Sequence, residues 1–181
     1  MIFVTGGVRS GKSTFAEQLT MEKAKDLNGN LHYIATGVPS DEEMRKRIER
    51  HQQERAESEW TTWEKSTHIE EIASLFTKKD VVLLDCVTTL LNNELFSKND
   101  WDPLFLDGVF HRLLSGFDAI KRSCAKLILV SNEVLHEIND NELVMKYSCI
   151  LGKLHQEIVK RAEEVYLIEA GIPIKMKGEK R

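Results

Sequence analysis

The sequence predicts an α/β fold with a mainly parallel central sheet that is flanked by helices on both faces. Short apolar runs alternate along the chain with longer segments of helical periodicity. A glycine-rich loop follows the first of these runs, as in sheets that bind ligands beyond the carboxyl ends of their strands. Residues 172–176 follow Gly171 closely enough to add an edge hairpin, where Pro173 is tolerated. The strand-like runs are Ile2–Thr5, Leu31–Thr36, Val81–Asp85, Leu127–Asn132 and Val165–Ala170.

Length and charge restrict the classes of protein to which the chain can belong. The chain has 181 residues and a formal net charge of −4, with 25 basic and 29 acidic residues. This length fits one domain over residues 1–181, and the charge balance argues against nucleic acid or an anionic membrane as the main partner. The 3 cysteines lack Cys-x-x-Cys spacing, so we expect reduced, mostly buried thiols. No apolar run reaches about 18 residues and no signal-peptide pattern occurs, which predicts a cytoplasmic protein without a membrane span.

The first functional motif is a phosphate-binding loop. Residues 6–13 match G-x-x-x-x-G-K-[ST] without a mismatch, directly after the run Ile2–Thr5. The glycines let backbone N–H groups turn toward a polyphosphate, while Lys12 would neutralise the outer phosphates and Ser13 would offer its hydroxyl to Mg²⁺. A chance glycine-rich turn is the alternative, but a strand before the loop and an amphipathic helix after it argue against that. The predicted phosphate-binding residues are Gly6, Gly7, Val8, Arg9, Ser10, Gly11, Lys12 and Ser13.

Asp85 closes the apolar run Val81–Leu84 and supplies a second feature of such sites. A buried strand that ends in one carboxylate beside the phosphates predicts a Mg²⁺ ligand, direct or through water, with Ser13 as its companion. The alternative is a helix N-cap, because a helical stretch follows Asp85.

A helix is predicted to begin at Ser40, where a capping box precedes a charged segment. Met44, Ile48, His51 and Arg55 share one face of this helix, which we expect to point toward the sheet. A histidine on an apolar face is more often a packing residue than a catalyst, so spacing alone leaves the role of His51 open. Arg55 either clamps phosphate oxygens or pairs with surface glutamates.

Five segments of the sequence together resemble the adenosylcobinamide kinase / adenosylcobinamide-phosphate guanylyltransferase family. The resemblance implies a RecA-like P-loop domain that phosphorylates adenosylcobinamide with ATP or GTP and then transfers GMP from GTP to adenosylcobinamide phosphate. It also implies a homotrimer. The segments that carry it are Thr5–Ser13, Tyr33–Thr36, Asp41–His51, Trp60–Glu64 and Asp85–Thr88.

The resemblance implies that His51 becomes guanylylated, with Lys12 and Arg55 as the other catalytic residues. A neutral imidazole is nucleophilic near pH 7, so a phosphoramidate on His51 would divide the transfer into two displacements. Trp60 and Trp63 could stack on a base or a corrin edge, or could simply pack in the core. The further GTP-contacting positions that the resemblance implies are Thr36, Gly37, Val38, Gln52, Gln53, Glu54, Arg55, Glu64 and Asp85.

The second half of the chain follows the family pattern less closely. Leu135 stands where relatives carry glycine, and the usual proline is absent from residues 135–140. Residues 147–149 and 152–156 stand in place of an expected Arg-Asp pair and a Gly-x-x-Asn-Gln element. If these positions contact the corrinoid or orient the acceptor hydroxyl, the departures affect the kinase step. His155, on a helix predicted over residues 142–164, is expected to be a packing or surface histidine.

Two other functions stay open at this stage. One is a P-loop kinase of another small alcohol or nucleoside, which would use only Lys12, Ser13 and Asp85. The other is a nucleotide-dependent binding module in which His51 is structural. Covalent labelling from GTP separates both from the cobinamide enzyme.

Overall fold

Seven strands form one sheet in the computed structural model, which describes residues 1–38, 59–97, 101–133 and 141–179. The strands are β1 (Ile2–Gly6), β2 (Asn30–Ala35), β3 (Trp60–Glu64), β4 (Asp80–Asp85), β5 (Lys126–Asn132), β6 (Glu164–Glu169) and β7 (Ile172–Lys177). The α-helices are α1 (Lys12–Leu27), α2 (Val87–Leu95), α3 (Pro103–Ser123) and α4 (Glu142–Arg161), and a 3-10 helix spans Ile69–Leu75.

The strand order β3-β2-β4-β5-β1-β6-β7 confirms the predicted mainly parallel sheet. Every neighbouring pair is parallel except the β6–β7 hairpin. The turn of this hairpin is made by Ala170 and Gly171, both in the left-handed region with φ of 48° and 81°. In the central part of the sheet, β5 lies between β1 and β4.

Helices cover both faces of the sheet, as the sequence predicts, because successive residues of β1, β4 and β5 point to opposite sides. On one face, α1 contributes Ala16, Leu19 and Ala24 to a core with Ile2, Val4, Val81, Leu83, Ile128 and Val130. On the other face, residues of α2, α3 and α4 pack with Phe3, Val82, Leu84, Leu127 and Leu129. The near-continuous apolar runs of the central strands therefore reflect burial on two sides.

Some boundaries and exposures differ from the sequence predictions. Strand β3 was not predicted; it is a short edge strand, and its residues 61, 62 and 64 are exposed. Helix α4 ends at Arg161 rather than at Glu164, since Glu164 begins β6 and pairs with Ile2 of β1. Cys86 and Cys124 are buried as expected, whereas Cys149 is exposed. Among the described residues, no helix combines the length and apolar character that crossing a membrane requires.

Helix α2 is fixed to its neighbours by a buried carboxylate. The side chain of Glu94 is 2% exposed and accepts hydrogen bonds from Nε and Nη2 of Arg112, at 3.2 and 2.8 Å, and from the backbone N–H of His68 at 2.8 Å. These contacts join α2 to α3 and to the start of the 3-10 helix.

We expect Arg112→Met to lower the free energy of unfolding by about 3 kcal/mol, because Glu94 would stay buried without its cation. Lys146→Met is the matched control: Lys146 pairs with Glu142, whose side chain is 80% exposed. Losing this exposed ion pair should lower the free energy of unfolding by less than about 0.5 kcal/mol. Urea unfolding of both variants measures the difference, and equal losses would contradict the structural role given to Glu94.

Candidate functional site

The phosphate-binding loop connects β1 to α1 and is shaped by two glycines. A Cβ on Gly6 would lie 2.5 Å from the backbone oxygen of Ile168, so no larger residue fits beside β6. Gly11 has a φ of 91° and caps the N-terminus of α1. Arg9, between them, has a φ of 61°, which is uncommon for a residue with a side chain and is often found at functional sites.

The β6–β7 turn braces this loop, since the N–H of Gly171 donates to the backbone oxygen of Ser10 at 2.9 Å. Lys12 is 7% exposed, and its Nζ donates to the backbone oxygen of Gly7 at 3.3 Å. The hydroxyls of Ser10 and Thr5 are buried and have no hydrogen-bond partner within the described chain. The loop therefore holds a cation and unused hydroxyl groups, which suits a polyphosphate ligand.

Polar residues stand side by side at the carboxyl ends of the central strands. Gly6 of β1 is in register with Asn132 of β5, and the N–H of Glu133 donates to the backbone oxygen of Gly6 at 3.3 Å. On the other side of β5, Asp85 of β4 is in register with Val130. At about 4.8 Å per strand, Asp85 lies roughly 10 Å across the sheet from β1.

Asp85 retains capacity for a ligand. Its Oδ2 accepts from the hydroxyl of Tyr33 at 3.1 Å, and no hydrogen bond to Oδ1 occurs within the described residues. The N-cap of α2 is Cys86, so the alternative role of Asp85 as the helix cap does not hold. A carboxylate oxygen and the half-buried hydroxyl of Ser13 are hard oxygen ligands of the kind that Mg²⁺ takes, and the donor set fits that ion.

Cys86 lies beside this carboxylate but does not have the character of a nucleophile. Burial, followed by the charge of Asp85, raises the pKa of its thiol. Its sulfur is also within 2.9 Å of the Thr88 hydroxyl and 3.1 Å of the Thr89 hydroxyl. A buried, protonated thiol with these partners is unreactive at neutral pH.

Thr36 joins the end of β2 to the segment that follows β4. Its hydroxyl donates to the backbone oxygen of Cys86 at 3.0 Å and accepts from the N–H of Cys86 at 2.7 Å. Its backbone N–H donates to the backbone oxygen of Asp85, and its carbonyl accepts from the side-chain amide of Asn93 at 2.8 Å. These bonds give Thr36 a structural role; the nucleotide contact predicted for it and for the exposed Gly37 and Val38 stays a prediction.

Glu64 ends β3 at the same edge of the sheet and is exposed. It lies four strand positions from β1, or roughly 19 Å across the sheet. The tryptophans of this strand pack against the protein: Trp60 lies edge-on to Tyr33 at 6.0 Å, and Nε1 of Trp63 donates to Nδ1 of His32 at 3.1 Å. The guanine contact predicted for Glu64 stays a prediction.

His155 packs against the central strands β5 and β1, and it is a packing residue, as expected from the sequence. Its Nε2 lies 2.7 Å from Oγ of Ser131, and its ring lies edge-on to Phe3 at 5.2 Å. Burial lowers the pKa of His155 to about 4. The imidazole is therefore neutral at physiological pH and is not placed to act as an acid.

Other predicted residues fall outside the described part of the chain. His51, Gln52, Gln53, Glu54 and Arg55 lie within residues 39–58, so the structure gives no position for them. The departures at residues 135–140 lie outside it as well.

The structure also contains a cleft that was not predicted from the sequence. The cleft has a volume of about 660 Å³ and lies beside α2, between the loop after β2 and the end of β5. The signal in the sequence is the repeat Thr88-Thr89-x-x-Asn92-Asn93, which places polar groups on one face of a helix. Its lining residues are Val38, Ser66, Thr67, Thr88, Thr89, Asn92, Asn93, Phe96, Ser97, Asn132 and Tyr147.

We expect Lys12→Met to weaken GTP binding by roughly a hundredfold, because it removes the buried cation of the phosphate-binding loop. Lys25→Met is the matched control, since Lys25 lies exposed in the last turn of the same helix. Titration calorimetry with GTP measures both affinities. Equal affinities for the two variants would contradict the role of Lys12.

The lowered pKa of His155 should make the free energy of unfolding depend on pH. Its pKa of about 4 in the folded protein is below the ordinary value of 6.5, so its contribution is complete above pH 6.5 and is lost as the pH falls toward 4. Between pH 7 and pH 5, the wild type should lose about 2 kcal/mol more unfolding free energy than His155→Gln. Denaturant unfolding at both pH values tests this. His111→Gln, at an exposed histidine, should behave as the wild type.

Known proteins resemble this chain over nearly its full length. Residues 2–176 match the family described as cobinamide kinase / cobinamide phosphate guanyltransferase. The chain is 37% identical to the bifunctional adenosylcobalamin biosynthesis protein CobU of Escherichia coli, over 98% of this chain and 99% of that protein. It is 36% identical to the bifunctional adenosylcobalamin biosynthesis protein CobP of Pseudomonas aeruginosa, over 97% and 96%.

Solved structures show the fold. The flagellar accessory protein FlaH of Methanocaldococcus jannaschii matches 98% of this chain and 78% of its own, with a TM-score of 0.50 and 13% identity. A second solved structure, an ATPase domain, matches 92% of this chain and 68% of its own, also with a TM-score of 0.50 and with 12% identity. The predicted RecA-like P-loop fold is confirmed, and by its sequence the chain belongs to the cobinamide kinase / cobinamide phosphate guanyltransferase family.

Proposed function

We propose that this protein assembles the nucleotide loop of cobalamin in two reactions. In the first, it transfers the γ-phosphoryl group of ATP or GTP to the aminopropanol hydroxyl of adenosylcobinamide. In the second, it transfers GMP from GTP to the resulting phosphate, giving adenosylcobinamide-GDP and pyrophosphate. The observation that carries the proposal is the near full-length match to the family, together with a complete phosphate-binding loop at the same edge of the sheet as Asp85.

The guanylyl transfer proceeds through His51 in this proposal. Neutral imidazole nitrogen attacks the α-phosphorus of GTP, the P–N bond forms and pyrophosphate leaves. A phosphate oxygen of the acceptor then attacks the same phosphorus, and the P–N bond breaks to return free His51. A phosphoramidate suits this role because imidazole is a good leaving group once protonated.

The phosphate-binding loop supports both reactions. Phosphoryl and nucleotidyl transfer depend mainly on positioning and on stabilising charge on the non-bridging oxygens. Lys12, with its Nζ held against the loop at 3.3 Å from the Gly7 oxygen, supplies a fixed cation. Arg55 supplies a second cation in the proposal. Ser13 and Asp85 would hold Mg²⁺, which when bound adds further neutralisation of the phosphate oxygens.

The remaining parts of the proposal rest on the family resemblance. Residues 1–181 act as one nucleotide-binding domain, which the single seven-stranded sheet supports. Glu64 and the segment 36–38 contact GTP, as do residues 52–54, and the active assembly is a homotrimer.

A labelling experiment tests the covalent step. Wild-type protein incubated with Mg²⁺ and α-labelled GTP should acquire an acid-labile label of one GMP, and His51→Ala should show a loss on the order of a hundredfold or more. His111→Ala, which changes an exposed histidine on α3, is the matched control and should label fully. Label from γ-labelled GTP should be absent.

Two outcomes would overturn the covalent mechanism. The first is equal labelling of the wild type and His51→Ala. The second is no label on the wild type while calorimetry shows that GTP still binds, which would favour a simple P-loop kinase. Formation of adenosylcobinamide-GDP from adenosylcobinamide, ATP and GTP tests the complete reaction.

A further inference from the structure

The cleft beside α2 differs from the rest of the site in its chemistry. Among the described residues that line it, none carries a charge, and most carry a hydroxyl or a carboxamide. The polar face of a surface helix ordinarily carries charged residues. Helix α2 and its C-cap residue Phe96 instead present the α2 cleft face, which we define as Thr88, Thr89, Asn92, Asn93 and Phe96.

This face results from helical periodicity. Its members are spaced by one, three, one and three residues, which places them in one stripe along the helix. The opposite face of α2 contains Val87, Leu90, Leu91, Glu94 and Leu95, all of which are buried. Rotation of the helix would expose these buried residues. Their burial therefore fixes the orientation of the α2 cleft face.

Hydrogen bonds also fix the carboxamides at the inner end. Nδ2 of Asn93 donates to the backbone oxygens of Thr36 and Ser66 at 2.8 and 3.0 Å. Nδ2 of Asn132 donates to the Thr88 hydroxyl at 3.1 Å. Both amide hydrogens of Asn93 and one of those of Asn132 are bound in this way, so the carboxamides are oriented and their Oδ1 atoms can accept from a ligand that donates N–H groups.

The outer end of the cleft carries an exposed aromatic ring that packs against a buried one. Phe96 is 62% exposed, and its ring packs edge-on against Trp101 at 5.1 Å. Trp101 is 4% exposed, and its Nε1 donates to the backbone oxygen of Leu95 at 2.9 Å. An exposed aromatic ring supported from behind by a buried one is a preformed platform for a flat ligand.

The cleft joins the phosphate-binding loop through Asn132. This residue lines the cleft and is in register with Gly6, the first residue of the loop. A ligand in the cleft would therefore place one end next to a nucleotide bound at the loop. A second substrate must occupy this position to receive a phosphoryl or nucleotidyl group.

We propose that the α2 cleft face binds the corrinoid acceptor through the neutral, carboxamide-bearing rim of its ring, with Asn92 contacting those amides and Phe96 packing against the ring. The inference rests on the proposed function and assigns the acceptor to a site on this chain. Primary carboxamides donate and accept hydrogen bonds, which matches the asparagines and hydroxyls of the cleft. The volume of about 660 Å³ is within the range of small-molecule sites, and in this proposal the cleft holds one edge of the macrocycle.

Val38, one of the residues proposed to contact GTP, lines the cleft, but the guanine base is a less suitable occupant of the cleft than the acceptor. Guanine presents two adjacent N–H donors that a carboxylate matches best, and no carboxylate is found among the described residues lining the cleft. The cleft also extends away from the loop along α2 as far as Ser97, in the direction in which an acceptor larger than a base would extend.

Binding of adenosylcobinamide to the full chain tests the assignment. Titration calorimetry is performed with Mg²⁺ and a non-hydrolysable GTP analogue present. Asn92→Ala and Phe96→Ala should each raise the Kd for adenosylcobinamide by about tenfold, the effect of losing one neutral hydrogen bond or one apolar contact. The Kd for the GTP analogue should change by less than about twofold.

Two control variants match these changes outside the cleft. Gln156→Ala removes an exposed carboxamide from α4, and Leu104→Ala removes an apolar side chain that is 83% exposed on α3. Both should bind adenosylcobinamide as the wild type does. Thermal unfolding of all four variants confirms that they are folded, since none of the changed side chains is buried.

The other outcomes separate this inference from the proposed function. An unchanged Kd for adenosylcobinamide in both cleft variants would overturn the assignment and leave the proposed function intact. A loss of affinity for the GTP analogue instead would identify the cleft as a base site and overturn the assignment. Failure of the wild type to bind adenosylcobinamide, with the GTP analogue bound, would overturn the acceptor in the proposed function and this inference with it.

Discussion

The parallel pairing of β5 with β1 on one side and β4 on the other is the constraint on which the candidate site depends. Because β5 separates them, the strands that end at Gly6 and at Asp85 are roughly 10 Å apart across the sheet, and both end at its carboxyl edge. The same pairing places Asn132, the last residue of β5, between the nucleotide loop and the cleft beside α2.

The loop keeps its shape at a local cost that a ligand can offset. Arg9 has a positive φ, and the hydroxyls of Thr5 and Ser10 are buried without partners in the described chain. A buried hydroxyl without a hydrogen bond costs about 1–3 kcal/mol. The brace from Gly171 and the close contact between Gly6 and Ile168 hold the loop open nonetheless. A nucleotide that bonds these hydroxyls would offset part of this cost, and its binding should stabilise the fold by the amount that its concentration and Kd set.

The sequence predicted the fold and the loop because their signals are local. The five main strands follow from apolar runs, and the loop follows from a motif with fixed spacing. Strand β3 escaped prediction because Trp60 and Trp63 are three residues apart, which breaks the alternation typical of a strand. The cleft escaped because it needs groups from α2, β5 and α4 together: Tyr147 of α4, for example, donates to the backbone oxygen of Thr88 at 3.2 Å. No local pattern encodes such a contact.

The division of charge across the site suits the two ligands of the proposed function. In that proposal the highly charged nucleotide lies against Lys12 at the loop, and the acceptor, which is neutral at its rim, lies against hydroxyls and carboxamides. A lysine in the cleft would attract the triphosphate away from the loop, and a carboxylate there would repel it at short range. An uncharged cleft avoids both effects and leaves the position of the triphosphate to the loop and the other residues of the nucleotide site. The buried Glu94 fits this division, because Arg112 neutralises it on the face of α2 opposite the cleft.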